Sequence, residues 1–242
     1  MLNVLFRRFS RGIRWRLGLP VAAVELEQGS DESVVSFYSS RVTDCGFLGD
    51  PGHYEYPRAR WILDRVRGGH LLEIGAGNGG MTRVMAPAVD RLTAMDVSKP
   101  SLDAIRQLAL PNVTVAEGLV ERYEPHTQFE WIVMSEVLEH LRDPRQVIRR
   151  IVRWLSPGGT LLVTTPHGHW ESNEHLHEFT LEHFAGLLAA SGGEGVHASY
   201  LRDVDDRRRW LVGEVFAPQR PPTRDTFDDR RTLVRERYQR KT

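Results

Sequence analysis

A single cysteine, Cys45, is all the thiol this chain has. That excludes an intrachain disulfide and any metal site built on several cysteines, and it suits a reducing cytoplasm. Long apolar runs are also missing, and none approaches the roughly 20 residues that a membrane span needs. The N-terminus lacks a continuous apolar stretch followed by a small-residue cleavage site, so it does not read as a secretory signal. No internal repeat is visible. Net charge is absent too, because 32 Lys+Arg balance 32 Asp+Glu, so the total charge names no partner.

What is present is enough for one α/β domain with short extensions, and too little for two large domains: 242 residues, 40% of them hydrophobic. The charge is unevenly placed. Arg7, Arg8, Arg11, Arg14 and Arg16 face no acid in the first twenty residues, and residues 217–242 also carry an excess of basic groups. Two basic ends therefore flank an acidic body. In Asn3–Leu19 the arginines alternate loosely with Phe6, Phe9, Ile13, Trp15 and Leu17. Two readings stand: a peripheral contact with an anionic membrane surface, or an arm packed on the domain.

From residue 56 onward, strand-like and helix-like segments alternate, which predicts a parallel sheet with helices on both faces. His70–Ile74, Arg91–Asp96, Val113–Ala116, Trp131–Met134 and Thr160–Thr165 read as strands. Ser98 caps a helix carrying Leu102, Ile105 and Leu108, and Thr180 caps one that runs to Ala190. Pro144 opens a helix with Val147, Ile148, Ile151, Val152 and Leu155 on its buried face, and Ser156–Gly159 reads as a turn. Val196–Leu201 and Trp210–Phe216 read as a closing antiparallel pair. The expected organisation is an N-terminal arm and lid over 1–55, a catalytic domain over 56–216 and a charged tail over 217–242.

The most informative segment is Leu71–Gly80, LLEIGAGNGG. Glycines let the backbone turn sharply after a strand and approach a ligand closely. Asp96 ends the next strand, where a carboxylate can accept both hydrogen bonds of a ribose diol. A nucleoside-bearing cofactor is expected. Gly75, Gly77 and Gly80 also satisfy G-x-G-x-x-G, which keeps a nicotinamide-dependent oxidoreductase open. Glu73 argues against that reading, because its charge opposes a pyrophosphate and suits a cationic sulfonium with an amino group.

Five segments in order, Leu71–Gly80, Thr93–Ser98, Phe129–Pro144, Leu155–Pro166 and His175–Gly192, resemble the class I S-adenosylmethionine-dependent methyltransferases. The subgroup they resemble most contains ubiquinone-type O-methyltransferases and many small-molecule and glycan methyltransferases. The resemblance implies an α/β, Rossmann-like, seven-stranded, mostly parallel sheet with helices on both faces and the last strand antiparallel. It implies S-adenosyl-L-methionine held at Glu73, Gly75, Ala76 and Gly77, with Asp96 and Val97 at the ribose and Glu117, Gly118 and Leu119 beside the adenine. Many relatives carry Asp where this chain has Leu119, which leaves the adenine to backbone groups of Leu119 or Val120. Met134, Ser135 and Glu136 would line the cofactor. The acceptor would be a small molecule or glycan, methylated on oxygen.

Glu136, Glu139 and His140 follow the central strand, and on a helical turn they would share one face. Two carboxylates and an imidazole suit Mg²⁺ or Mn²⁺. The same E-x-x-E-H string resembles the metal site of ubiquinone-type O-methyltransferases and of small-RNA 2′-O-methyltransferases, where a later histidine, matched here by His175, completes the set. The alternative is metal-free, with His140 structural or substrate-facing and Glu139 a cap partner. His140 and His175 are the candidate bases. His167, His169, His177 and His183 are expected to be mostly solvent-facing. Phe37, Tyr38, His53, Tyr54 and Tyr56 lie in the lid segment, and Arg58 or Arg60 could meet the cofactor carboxylate. Two further readings remain: an RNA 2′-O-methyltransferase, which the acidic body disfavours, and a cofactor-binding scaffold without turnover. Oligomeric state is not legible.

Overall fold

The computed structural model describes residues 30–39, 46–170 and 174–219. Seven strands form one sheet in the order β3-β2-β1-β4-β5-β7-β6. They are β1 (His70–Ile74), β2 (Arg91–Asp96), β3 (Val113–Glu117), β4 (Phe129–Ser135), β5 (Leu155–Pro166), β6 (Gly195–Arg202) and β7 (Arg208–Phe216). Strands β1 to β5 pair in parallel, and β7 runs antiparallel between β5 and β6. All five residues of β1 are buried, as a central parallel strand covered on both faces requires.

Alternation along the strands sends side chains to two separate cores. Leu71, Val133 and Leu162 pack on one face with Ile62, Met85 and Ile105. Leu72, Ile132 and Leu161 pack on the other with Ile148, Phe184 and Leu188. The first face is covered by α2 (Tyr56–Leu63), α3 (Gly80–Met85) and α4 (Lys99–Gln107), and the second by α5 (Pro144–Ile151) and α6 (Leu181–Ala189). Each fully buried Leu or Ile contributes about 1.5–3 kcal/mol. The expected caps are in place: Ser98 Oγ accepts from Ser101 N–H and Thr180 Oγ1 from His183 N–H, both at 3.3 Å.

The sequence reading and the structure part at Ser156–Gly159. The helix after Pro144 stops at Ile151 and tightens into a 3₁₀ turn over Val152–Trp154, so Leu155 is the first residue of β5. The expected turn is a bulge inside that strand, opposite a register shift between Phe129 and Trp131. Gly158 takes a φ of 76°, and a Cβ at Gly159 would lie 2.9 Å from the Phe129 carbonyl. The SPGG string bends the strand without ending it.

The order of strands reverses between β1 and β4, and the crevice this leaves at their carboxyl ends is where an open α/β sheet binds ligands. An additional helix, α1 (Asp31–Ser39), lies over that edge. The side chain of Asp31 holds it there, accepting from Arg122 Nε and Arg142 Nη1, each at 2.9 Å. Because β7 runs backwards, its first residues reach the same edge: Trp210 pairs with Pro166 at the end of β5. The Asn3–Leu19 arm and the tail beyond residue 219 lie outside the described residues. Among the described residues no helix is long and apolar enough to cross a membrane.

Candidate active site

The crevice has two chambers that share Ile74, Gly75, Gly77, Glu136, His140 and Glu174. The first, of about 280 Å³, lies against β2 and β3. Asp96 is its polar centre: Oδ2 accepts Gly77 N–H and Oδ1 accepts Ser98 N–H, both at 2.8 Å. Burial pushes the Asp96 carboxyl above its ordinary pKa, against the pull of those amides. Val97, Gly118, Leu119 and Val120 line the wall, with Val34 and Tyr38 of α1. Glu117 ends β3 in register with Asp96 but is not part of the lining.

The glycines here answer to different needs. At Gly75 a Cβ would stand 2.3 Å from Val137 Cγ2, at a φ of 74°. At Gly77, φ 52°, a Cβ would meet nothing within 4 Å. Gly75 therefore allows β1 to pack against the segment after β4, and Gly77 keeps open the space in front of Asp96.

The second chamber, of about 460 Å³, lies toward β4, β5 and β7. Five carboxyls line it: Glu73 and Glu139 are buried, and Glu55, Glu136 and Glu174 are half-buried. Burial pushes Glu73 up to about 8, and Glu136 and Glu139 up to about 7 each. Thr82 donates to Glu73 at 2.5 Å, and no cation pairs with Glu73 among the described residues. Arg58 is the one Arg or Lys in the lining among the described residues. It pairs with Glu55 and donates to Ser135 Oγ at 2.6 Å. Ser135 and Thr164 lie within 2.9 Å of each other, and Thr164 donates to Glu136 at 2.9 Å. Arg60, the other candidate, points outward to Asp64. Ala76 and Ser135 also line this chamber, whereas Met134 is sealed in the core.

The helical face expected for Glu136, Glu139 and His140 does not form. Glu136 sits at a φ of 56°, and only Leu138–His140 makes a 3₁₀ turn. The Glu139 carbonyl accepts the N–H groups of Leu176 and His177, at 2.7 and 3.1 Å, and so lashes the 174–177 segment beside that turn. His175 thereby meets His140, with ring centroids 5.1 Å apart. Ligand atoms of Glu139, His140 and His175 lie within 4.8 Å of one another, a set that could hold a metal ion and does not include Glu136. His140 Nδ1 lies 2.9 Å from the Glu174 carbonyl. A carbonyl only accepts, so Nδ1 is the donor in that bond, and Nε2 lies 3.7 Å from Glu139 Oε1.

Of the remaining loop histidines, His169 and His183 are exposed as expected, and His167 and His177 are half-buried. His177 Nε2 contacts the Leu141 carbonyl at 2.8 Å, and His169 pairs at 2.8 Å with Glu178, whose side chain is fully buried. Sequence reasoning missed the aromatic and cationic groups at the outer edge of the second chamber: Trp170, Trp210, Tyr54 in its stacking role, and Arg209. They come from three distant segments, and no spacing links them.

A family model described as a methyltransferase domain matches residues 53–209. The ubiquinone biosynthesis O-methyltransferase of Pseudomonas fluorescens (strain Pf0-1) is 34% identical over 118 residues, covering 45% of this chain and 50% of that protein. The chain thus spans about half the length of the curated relatives it matches. Among solved structures, the N-methyltransferase NodS from Bradyrhizobium japonicum WM9 in complex with S-adenosyl-l-homocysteine superposes with a TM-score of 0.60 at 20% identity, over 78% of this chain and 100% of that one. The 1,6-didemethyltoxoflavin-N1-methyltransferase of Burkholderia thailandensis gives 0.65 at 19%, over 83% and 94%. These two likenesses are of fold.

Proposed function

The chain belongs to the class I S-adenosylmethionine-dependent methyltransferases, and on that premise we propose that it methylates an oxygen of a small-molecule or glycan acceptor. One observation carries the reading. A nucleoside-sized chamber centred on Asp96 opens into a second chamber where buried Glu73 has no cation partner among the described residues.

The residues present fit the cofactor. The space in front of Gly77 is open, Asp96 is aimed by two backbone amides, and Glu73 gains a partner from a cationic ligand. Asp96 and Val97 would hold the ribose, Gly118 and Leu119 the adenine, and Glu73, Gly75 and Gly77 the amino-acid end. When bound, the cofactor supplies a methyl group on a sulfonium, already a good leaving group. The protein's own work is then to orient the acceptor, exclude water and take one proton. The Nε2 lone pair of His140, oriented by its Nδ1–H bond to Glu174, is the candidate proton acceptor, with His175 beside it. The relatives named as O-methyltransferases support oxygen as the acceptor atom.

A second reading of the same histidines is favoured by the three-ligand set. Glu139, His140 and His175 would hold Mg²⁺ or Mn²⁺, which would lower the acceptor hydroxyl's pKa. The small-RNA site described by resemblance would also need Glu136, whose carboxylate is bound by Thr164 instead. With one cysteine, the protein suits the cytoplasm.

The test begins with calorimetry on the full chain. S-adenosylhomocysteine should bind and NAD should not; the reverse preference would overturn the reading. Turnover after metal removal separates the two versions of the base. Loss with chelator and recovery with Mg²⁺ or Mn²⁺ supports the metal, and full activity in excess chelator leaves His140 to act alone.

A further inference from the structure

Outside the cofactor chamber, the molecule concentrates its unusual chemistry at one place, the solvent edge of the second chamber. Tyr54, 38% exposed, stacks on Trp210 with ring centroids 6.3 Å apart and planes 7° from parallel. Trp170 and Trp210 line the chamber below. The Arg209 guanidinium lies 5.0 Å from the Tyr54 ring centroid and 5.5 Å from that of Trp170. These three rings and one cation come from the segment before α2, the loop after β5 and the start of β7.

Arg209 is held in place from behind. Its Nε donates to Asp203 Oδ2 at 2.6 Å, and the Asp203 side chain is fully buried. Asp203 is fixed in turn by the N–H groups of Asp205 and Arg207, both 2.9 Å from Oδ1. Among the described residues, the Arg209 Nη groups make no hydrogen bond. A guanidinium anchored through Nε keeps its end-on pair of Nη donors, whose spacing matches two oxygens of a carboxylate or phosphate. An arginine kept only for stacking would not need a buried carboxylate to set its orientation.

We propose that Tyr54, Trp170 and Arg209 form an acceptor subsite for a ring-bearing molecule with a negatively charged group. The ring lies against Trp170 and Tyr54, and the carboxylate or phosphate takes the Arg209 fork. The reacting hydroxyl is then directed inward, toward His140 and His175. This placement gives the acidic chamber a means of choosing acceptors: a ligand's anion stays at the rim, beside the cation, and its neutral hydroxyl enters among the carboxyls. The proposal rests on the methyl-transfer reading of the same cleft.

The test uses the full chain with saturating S-adenosylhomocysteine and three probes that share a ring: benzoate, phenyl phosphate and benzyl alcohol. Affinities are read by saturation-transfer NMR, with tryptophan fluorescence as a second signal. At least one anion should bind about 10- to 100-fold tighter than the alcohol, the range expected for charge-assisted hydrogen bonds. The tighter anion tells carboxylate from phosphate. Arg209→Gln should erase that margin and leave the alcohol and S-adenosylhomocysteine affinities unchanged. Arg209→Lys, which keeps the charge and loses the fork, should retain part of the margin, and it carries the comparison if the glutamine variant loses cofactor binding. Equal affinity for all three probes, or an anion preference that survives Arg209→Gln, overturns the subsite. Failure of the wild type to bind S-adenosylhomocysteine would count against the methyl-transfer reading instead, and the probes would then be titrated alone.

Discussion

On the β2–β3 side of the cleft, a ligand meets glycines, backbone amides and one carboxylate, Asp96. On the β4–β7 side it meets a cluster of carboxyls, two neighbouring histidines and several large aromatic rings. The first side is shaped by main chain and can hold one kind of molecule. The second is shaped by side chains from loops, which can change without disturbing the sheet. The division suits a two-substrate enzyme in which one substrate is constant.

The largest expected effect tests the main-chain side. Gly77→Val should lower S-adenosylhomocysteine affinity by about a hundredfold or more, because a β-branched side chain at positive φ would fill the space before Asp96. Wild-type affinity in calorimetry would mean that the loop is only a turn. His175→Ala tests the other side. Because the His175 ring packs on that of the candidate base His140, the substitution should slow methyl transfer to any accepted substrate by up to about 10²- to 10⁴-fold, the usual contribution of a positioned base, and leave S-adenosylhomocysteine affinity unchanged. Equal losses in both quantities would erase the distinction between the chambers.

Asp96→Ala is milder. Losing charge-assisted bonds worth about 1.5–3 kcal/mol should weaken cofactor affinity by about 10- to 100-fold. A variant that binds like wild type would remove Asp96 from the site.

The smallest effect is on stability. Glu73 has a folded pKa of about 8 against an ordinary 4.5. The folded state therefore keeps a proton that the unfolded chain has released. The associated stability is complete below pH 4.5 and is lost as pH rises toward 8. Without ligand, Glu73→Gln should show a smaller decline in melting temperature than wild type between pH 6 and about 8.5, a difference of a few degrees. Parallel pH profiles would mean that Glu73 finds a cation when unliganded.

The two sides also differed in how far the sequence could be read. The glycines at 75 and 77 and the acid at 96 are local consequences of a strand–turn–helix unit, so their spacing along the chain reports their spacing in the fold. β1 and β2 agree with the sequence reading to the residue. Glu136 was harder: E-x-x-E-H looks like a helical face, but Glu136 takes a left-handed φ and leaves the turn. The meeting of His175 with His140 depends on backbone bonds to the Glu139 carbonyl, and side-chain pattern carries no trace of those. Tyr54, Trp170 and Arg209 meet only through tertiary packing. The SPGG string misled for the opposite reason, since glycine and proline that usually end a strand here serve to bend one.

The backward direction of β7 has a consequence for how such a protein can be altered. Arg208 to Trp210 open the strand at the cleft, and Phe216 closes it at the far edge, opposite Thr160. The hairpin between β6 and β7 therefore stands at the cleft, and Gln219 lies beside Gly158 toward the other end of the sheet. Grafting a longer or differently charged β6–β7 hairpin would redecorate the entrance while leaving all five parallel strands, and the loops that follow β1 and β2, as they are.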